Sequence, residues 1–200
     1  MELLIIRHGQ SEADLLQCHE GRADFPLTDL GKKQAALLAE WLVENFPPDY
    51  IVSSPLQRAK QTAEIVGERA GLKVQYFEEL MEFNNGLLAG LPYDEAERKY
   101  PLKVGKKPHE RLYGQESTID FRARAESIFS KITFEFPADK RIAIVSHGGM
   151  INMLFRAFLN LSVISDVSII NGDTAVHLWE VDGEKREVIF MGKDEHLKGF

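Results

Sequence analysis

Leu3-Leu4-Ile5-Ile6 runs straight into Arg7-His8-Gly9-Gln10-Ser11, so an aliphatic run ends abruptly in a cation, an imidazole and a glycine. Four apolar residues without polar alternation suit a strand buried on both faces, as in a parallel sheet covered by helices. Ligands of open α/β sheets bind beyond the carboxyl ends of such strands, which is where Arg7 and His8 would stand. Ile142-Ala143-Ile144-Val145-Ser146 repeats the design and leads into His147-Gly148-Gly149 and a helical pattern. Two of the six histidines thus end apolar strands and ask for a joint explanation.

The 200 residues fit one domain, 1–200, with a sizeable core. A net charge of -7 argues against a general nucleic-acid surface, so a bound anion needs a local positive pocket. Cys18 is the only cysteine, which excludes an internal disulfide and thiolate metal clusters. No apolar run reaches membrane-spanning length, and the amino terminus lacks a basic stretch leading into a long apolar segment. The expectation is a cytoplasmic protein without membrane or nucleic-acid partners. The sequence leaves the oligomeric state open, a dimer included.

Strand-like runs alternate with amphipathic helical patterns, which predicts an α/β fold: a three-layer α/β/α sandwich with a mainly parallel central sheet and a small inserted cap. Thr28 is placed to cap a helix with Ala35, Leu38, Ala39, Leu42 and Phe46 on one face, ending at Pro47-Pro48. Tyr50 to Ser53 reads as a strand. Ser54-Pro55 then reads as a cap with proline at the first helical position, opening a helix that Gly71 stops. Leu56, Ala59, Ala63, Val66 and Ala70 form its stripe, leaving Arg58 off the stripe in the first turn. The stretch 78–116 is broken by glycines and prolines and is expected to form the cap over the site. Ser117 and Asp120 resemble a capping box, ahead of a helical face through Phe121, Ala125, Ile128, Phe129 and Ile132. Ala175 to Val181 and Glu187 to Met191 read as a hairpin turning at Asp182-Gly183.

Taken singly, a strand-end histidine is more often a structural hydrogen-bonding residue than a catalyst. In combination, Arg7, Arg58 and one histidine can neutralise a dianionic phosphoryl group, and the second histidine is left to attack phosphorus. Free amides at the helix start after Gly148-Gly149 also suit an anion.

These residues resemble the histidine phosphatase superfamily, the phosphoglycerate mutase-like proteins. Arg7-His8-Gly9-Gln10-Ser11 is similar to the family's opening motif, and Asp24-Phe25-Pro26-Leu27-Thr28 to its Asp-x-Pro-Leu-Thr segment. Ser53-Ser54-Pro55-Leu56-Gln57-Arg58 resembles its second arginine motif, and Val145-Ser146-His147-Gly148-Gly149 its second histidine motif. Leu80-Met81-Glu82, with Gly86 beyond, resembles the segment supplying the proton donor. The resemblance covers nearly the whole chain and is weakest between Tyr93 and Arg111. It implies that His8 becomes a phosphohistidine, that Arg7, Arg58 and His147 hold the phosphoryl oxygens, and that Glu82 serves as acid and then base. Gln10, Ser11 and Gly148 are further expected substrate contacts. It implies a small phosphorylated metabolite as partner and no metal or other cofactor. Phosphatase activity is expected over phosphoglycerate mutase activity because the chain is compact; a non-catalytic phosphate-binding module is the third reading.

Two positions depart from the family pattern. Asp14 stands where many relatives have asparagine, and Glu20 where glutamine often precedes the glycine. A carboxylate at either place repels phosphate unless it turns away or pairs with a cation. Ser11 has a second reading as a simple turn cap. The run Lys103, Lys106, Lys107, His109 and Arg111 reads either as a solvated loop or as a receptor for an acidic substrate end. His19 and His109 lack partners at ligand spacing, which argues against zinc, and His177 reads as structural.

Overall fold

The computed structural model describes residues 1–101 and 103–199. Its elements in chain order are β1 (Glu2–Arg7), α1 (Glu12–Leu16), α2 (Asp29–Asn45), β2 (Tyr50–Ser53), α3 (Gln57–Ala70), β3 (Val74–Tyr76), α4 (Tyr93–Lys99), α5 (Thr118–Glu135), β4 (Arg141–Ser146), α6 (Gly148–Phe158), β5 (Val176–Asp182) and β6 (Lys185–Lys193). Short 3-10 turns lie at Glu78–Leu80, Gly86–Leu88 and Glu195–Leu197.

The strands form one sheet in the order β3-β2-β4-β1-β5-β6. β3, β2, β4 and β1 are parallel, and β5 and β6 add an antiparallel hairpin beside β1. Strand side chains alternate between faces, and β1 shows the consequence. Leu3 and Ile5 join the cluster built from Phe121, Ile128 and Leu154 of α5 and α6. Leu4 and Ile6 join Leu38, Leu42, Ala63 and Val66 of α2 and α3 on the other face. Burial on both faces explains the absence of polar alternation in the sequence, and each such side chain contributes about 1.5–3 kcal/mol of transfer free energy. The α/β/α sandwich is therefore the one expected. Among the described residues no helix is long and apolar enough to cross a membrane.

Most helix ends follow the local signals. The Thr28 hydroxyl accepts from Gly31 N, and Ser117 and Asp120 form the capping box of α5. Gly71, at φ 70°, ends α3 in the left-handed region where glycine carries no Cβ penalty. The start of α3 differs from the expectation. It begins at Gln57, whose amide donates to Asp24 Oδ1 at 2.6 Å, so a remote carboxylate takes the place assigned to Ser54. β3, three residues long, and α1, five residues long, were also not anticipated; elements this short carry too little periodicity to read.

Candidate active site

β4 lies between β1 and β2, with Arg7 in register with Ser146 and Ser53 with Val145. His8, Ser54 and His147 are thus the first residues past the carboxyl ends of three adjacent strands. The backbone ties them to the edge, His8 N donating to Ser146 O and Ser54 N to Val145 O, each at 3.1 Å.

The His8 ring is buried, with Nδ1 2.8 Å from its neighbour's carbonyl, Gly9 O. A carbonyl can only accept, so Nδ1 carries the proton and Nε2 keeps a lone pair. Arg58 Nε donates to that Nε2 at 3.2 Å. Burial first, then the charges of Arg58 and Arg7, hold the His8 pKa well below the usual histidine value, which keeps the ring neutral. Gly9 is packed back to back with Gly31: a Cβ on Gly9 would lie 2.6 Å from Gly31 O.

Arg58 is fully buried in the first turn of α3, and two loop carbonyls fix its guanidinium. NH1 donates to Ala23 O at 3.0 Å and NH2 to Gly21 O at 2.9 Å. Arg7 NH1 donates to Asn171 O at 2.7 Å and NH2 stands 3.5 Å from Asp173, while its buried Nε has no partner.

The His147 and His8 ring centroids are 5.1 Å apart. His147 Nε2 lies 2.8 Å from Ser54 Oγ, which also accepts from Leu56 N. Among the described contacts His147 Nε2 is the acceptor open to the Ser54 proton, an arrangement that places the imidazole proton on Nδ1, a buried atom with no partner. A donor held ready and unpaired beside an arginine is what an incoming phosphoryl oxygen requires. Burial, followed by Arg58, keeps this histidine neutral as well.

Glu82 approaches from the stretch after β3. Gly149 N, at the start of α6, donates to its Oε2 at 2.8 Å, and Phe83 N to its Oε1 at 2.7 Å. A Cβ on residue 149 would fall 2.4 Å from Oε1, so glycine there is what permits the contact. Burial raises the Glu82 pKa against the lowering effect of these two amides and of Arg58. The segment is braced from behind by Arg124, which donates to Glu79 O at 2.8 Å, Met81 O at 2.5 Å and Glu82 O at 3.1 Å. Its remaining bond, at 2.6 Å, goes to Glu116, which also accepts from Asn84 N.

A model of the histidine phosphatase superfamily (branch 1) matches residues 3–194. The chain belongs to this superfamily. It is 33% identical over 171 residues to glucosyl-3-phosphoglycerate phosphatase of Mycobacterium tuberculosis, covering 80% of this chain and 76% of that one. It is 30% identical over 165 residues to the probable phosphoglycerate mutase GpmB of Yersinia pestis, covering 80% of this chain and 76% of the relative. The solved mycobacterial glucosyl-3-phosphoglycerate phosphatase in complex with VO3 superimposes with a TM-score of 0.83 at 27% identity, over 96% of this chain and 98% of that one. The protein is accordingly an enzyme of the histidine phosphatase type.

In this superfamily member Arg7, Glu82, Asp14, His19, Glu20, Phe83, Asn85 and Tyr93 share one cleft of about 340 Å³. The two departures from the family pattern behave differently. Asp14 turns back onto its own helix, where Oδ2 accepts from Ser11 N at 2.8 Å. Glu20 faces inward: Oε2 is 3.8 Å from His8 Nε2, and Oε1 is 3.4 Å from Arg58 Nε and accepts from the Ser11 hydroxyl.

The expected substrate contacts are divided. Gly148 opens α6 next to His147, but the Gly149 amide of that terminus, expected to be free for an anion, donates to Glu82. Ser11 is the cap of α1, its amide bonded to Asp14 and its hydroxyl to the two carboxylates. The Gln10 side-chain oxygen accepts from Thr28 Oγ1 at 2.8 Å and its amide donates to Gln34, so the structure does not bring Gln10 into the group around His8. Within the basic run Lys103 pairs with Glu110 and Arg111 with Asp120, and Lys106 donates to the uncharged Gln115. Sequence reasoning missed Asn171 and Asp173 on Arg7, Ser54 on His147, and the Arg124–Glu116 brace. Ser54 lies within the recognised arginine motif; the others sit in stretches without a local signal.

Proposed function

We propose that the enzyme is a metal-independent phosphatase that hydrolyses small phosphomonoesters through a phosphohistidine on His8. The observation that carries this reading is the His8 ring, with Nδ1–H donating to the Gly9 carbonyl and the Nε2 lone pair turned to Arg58. His8 Nε2 forms a bond to phosphorus as the P–O ester bond breaks, and Glu82 delivers its proton to the leaving oxygen. Arg58, Arg7 and His147 Nδ1 hold the equatorial oxygens, where positioning and charge supply most of the catalysis. Glu82, now ionised, takes a proton from water as that water attacks phosphorus. The P–N bond breaks, and phosphate and neutral His8 result. In this reading residues 1–200 act as one domain, and 78–116 is the cap that presents Glu82.

The test is turnover of p-nitrophenyl phosphate without added metal, beside His8→Ala. Loss of turnover in the variant is expected; equal rates in both proteins would remove the proposal. Incubation with 3-phosphoglycerate, with and without 2,3-bisphosphoglycerate, addresses mutase activity: slow release of phosphate without isomerisation is expected, and rapid isomerisation would overturn the preference.

A further inference from the structure

A second hollow opens beside the cleft. It encloses about 420 Å³ between Leu88, Tyr93, Ala96, Tyr100 and Pro101, with Glu97 and His19 also lining it. His19 and Tyr93 line the cleft as well, so the two spaces share a wall. That wall is built rather than incidental. The His19 and Tyr93 rings meet edge to face at 4.8 Å, and backbone bonds from His19 N to Leu91 O and from Tyr93 N to Gln17 O tie α4 to the loop after α1. Leu88 and Ala96 are buried at its base.

The charge around both spaces is acidic. Asp14 and Glu20 line the cleft and Glu97 the hollow, whereas Arg7, the arginine on the cleft wall, is assigned above to the reacting phosphoryl group. No residue of the basic run Lys103 to Arg111 is among the residues lining either space. A second phosphate or a carboxylate on the substrate would therefore be desolvated among carboxylates, at a cost that no cation besides Arg7 among the lining residues offsets. An apolar group finds a preformed concave surface of the size usual for small-molecule sites.

Resting on the phosphatase reading, we propose that this hollow receives the alcohol portion of the substrate, and that the enzyme selects monoesters of uncharged, apolar or aromatic alcohols over phosphorylated sugar acids.

The experiment compares kcat/KM for ethyl, propyl, butyl and phenyl phosphate and 3-phosphoglycerate. Each buried methylene is worth about a factor of four, so butyl phosphate is expected to exceed ethyl phosphate about fifteenfold. Phenyl phosphate is expected to exceed 3-phosphoglycerate by more than tenfold. In Ala96→Leu, which fills the base of the hollow, the butyl-to-ethyl ratio falls toward one. Tyr100→Ala, which removes a wall, lowers the same ratio and serves if the buried substitution fails to fold. A flat alkyl series in the unaltered enzyme, or 3-phosphoglycerate as the better substrate, would overturn the inference. Hydrolysis of no ester at all would remove the phosphatase reading and the inference with it.

Discussion

The Glu20 carboxylate stands 3.8 Å from His8 Nε2, on the side of the imidazole that faces Arg58. It is a resident anion at the cationic site, where a phosphoryl group bonded to Nε2 would have to be accommodated. Substrate dianion must displace it or share Arg58 with it. At about 4 Å, two unit charges interact by about 1 kcal/mol in water and about 4 kcal/mol at the effective dielectric near a protein surface. Glu20→Gln is therefore expected to tighten inhibition by inorganic phosphate or orthovanadate about tenfold or more, a difference of about 1.4 kcal/mol. An unchanged inhibition constant would mean that Glu20 swings clear at no cost.

Glu82 and His8 are shifted in opposite directions by the same burial: the carboxyl upward, the imidazole downward. The form required of each at the start of the reaction, protonated acid and neutral nucleophile, is the form that burial favours. kcat/KM is expected to fall on the alkaline side as Glu82 ionises, at a pH above the ordinary carboxyl range, while the lowered His8 pKa keeps the nucleophile neutral. Glu82→Gln should remove that alkaline limb. It should also lower alkyl phosphate turnover by about 10²–10⁴, the usual contribution of general acid catalysis. The loss in the first chemical step should be smaller for p-nitrophenyl phosphate, whose leaving group needs little protonation; single-turnover bursts measure this directly.

Arg124 touches nothing in the cleft, yet three of its bonds end on the carbonyls of Glu79, Met81 and Glu82. Its substitution by alanine leaves those carbonyls and the shielded Glu116 carboxylate short of a partner, at a cost of about 3 kcal/mol in stability. Urea unfolding checks that figure. The Glu82 segment would also lose its brace, so kcat is expected to fall more than KM rises. A normal kcat in the folded variant would assign Arg124 to stability alone.

The sequence made the strand ends legible because the fold and the site use the same residues there. Continuous apolar runs mark doubly covered strands, and His8 and His147 are simply the next residues along. Arg58 was legible through its place in the first turn of α3. Glu20 was legible as a departure from the family pattern, but its pairing with Arg58 was not, and Ser54 was read only as a cap, because such roles lie in which atoms a residue faces after the chain has closed. The Ser54 oxygen accepts from Leu56 N, the Gln57 amide goes to Asp24, 33 residues before it, and the Ser54 hydroxyl also meets His147. Asp173 and Arg124 belong to contacts made by tertiary packing, for which spacing along the chain holds no information.

Gly149 is where α6 meets Glu82, its amide donating to the carboxyl at 2.8 Å. A methyl group there would collide with Glu82 Oε1, so Gly149→Ala must push either the helix start or the carboxylate aside. A displacement of about 1 Å at a reacting group can cost on the order of 10²-fold in rate. The expected result is a kcat lowered by about that factor with cooperative unfolding preserved. Gly148→Ala serves as the control for the fold, since a Cβ there meets nothing within 4 Å.

His177, on β5, predicts how the fold responds to acid. Its Nε2 lies 2.7 Å from Asn171 Oδ1, and its Nδ1 accepts from Gly192 N at 3.0 Å. Only the neutral ring satisfies both, because a second ring proton would face the Gly192 amide. Burial accordingly lowers its pKa to about 4 from an ordinary value near 6.5. The unfolded chain binds this proton more readily than the folded one, so the stability contributed is complete above pH 6.5. It is lost as pH falls through about 4. The amount is about 2–3 kcal/mol. Urea unfolding at pH 7.5, 5.5 and 4.5 should show a steeper decline for the unaltered protein than for His177→Gln. Because Asn171 also accepts from Arg7 through its backbone carbonyl, acidification should weaken phosphate inhibition before the chain unfolds. Parallel declines in the two proteins would place the acid sensitivity elsewhere.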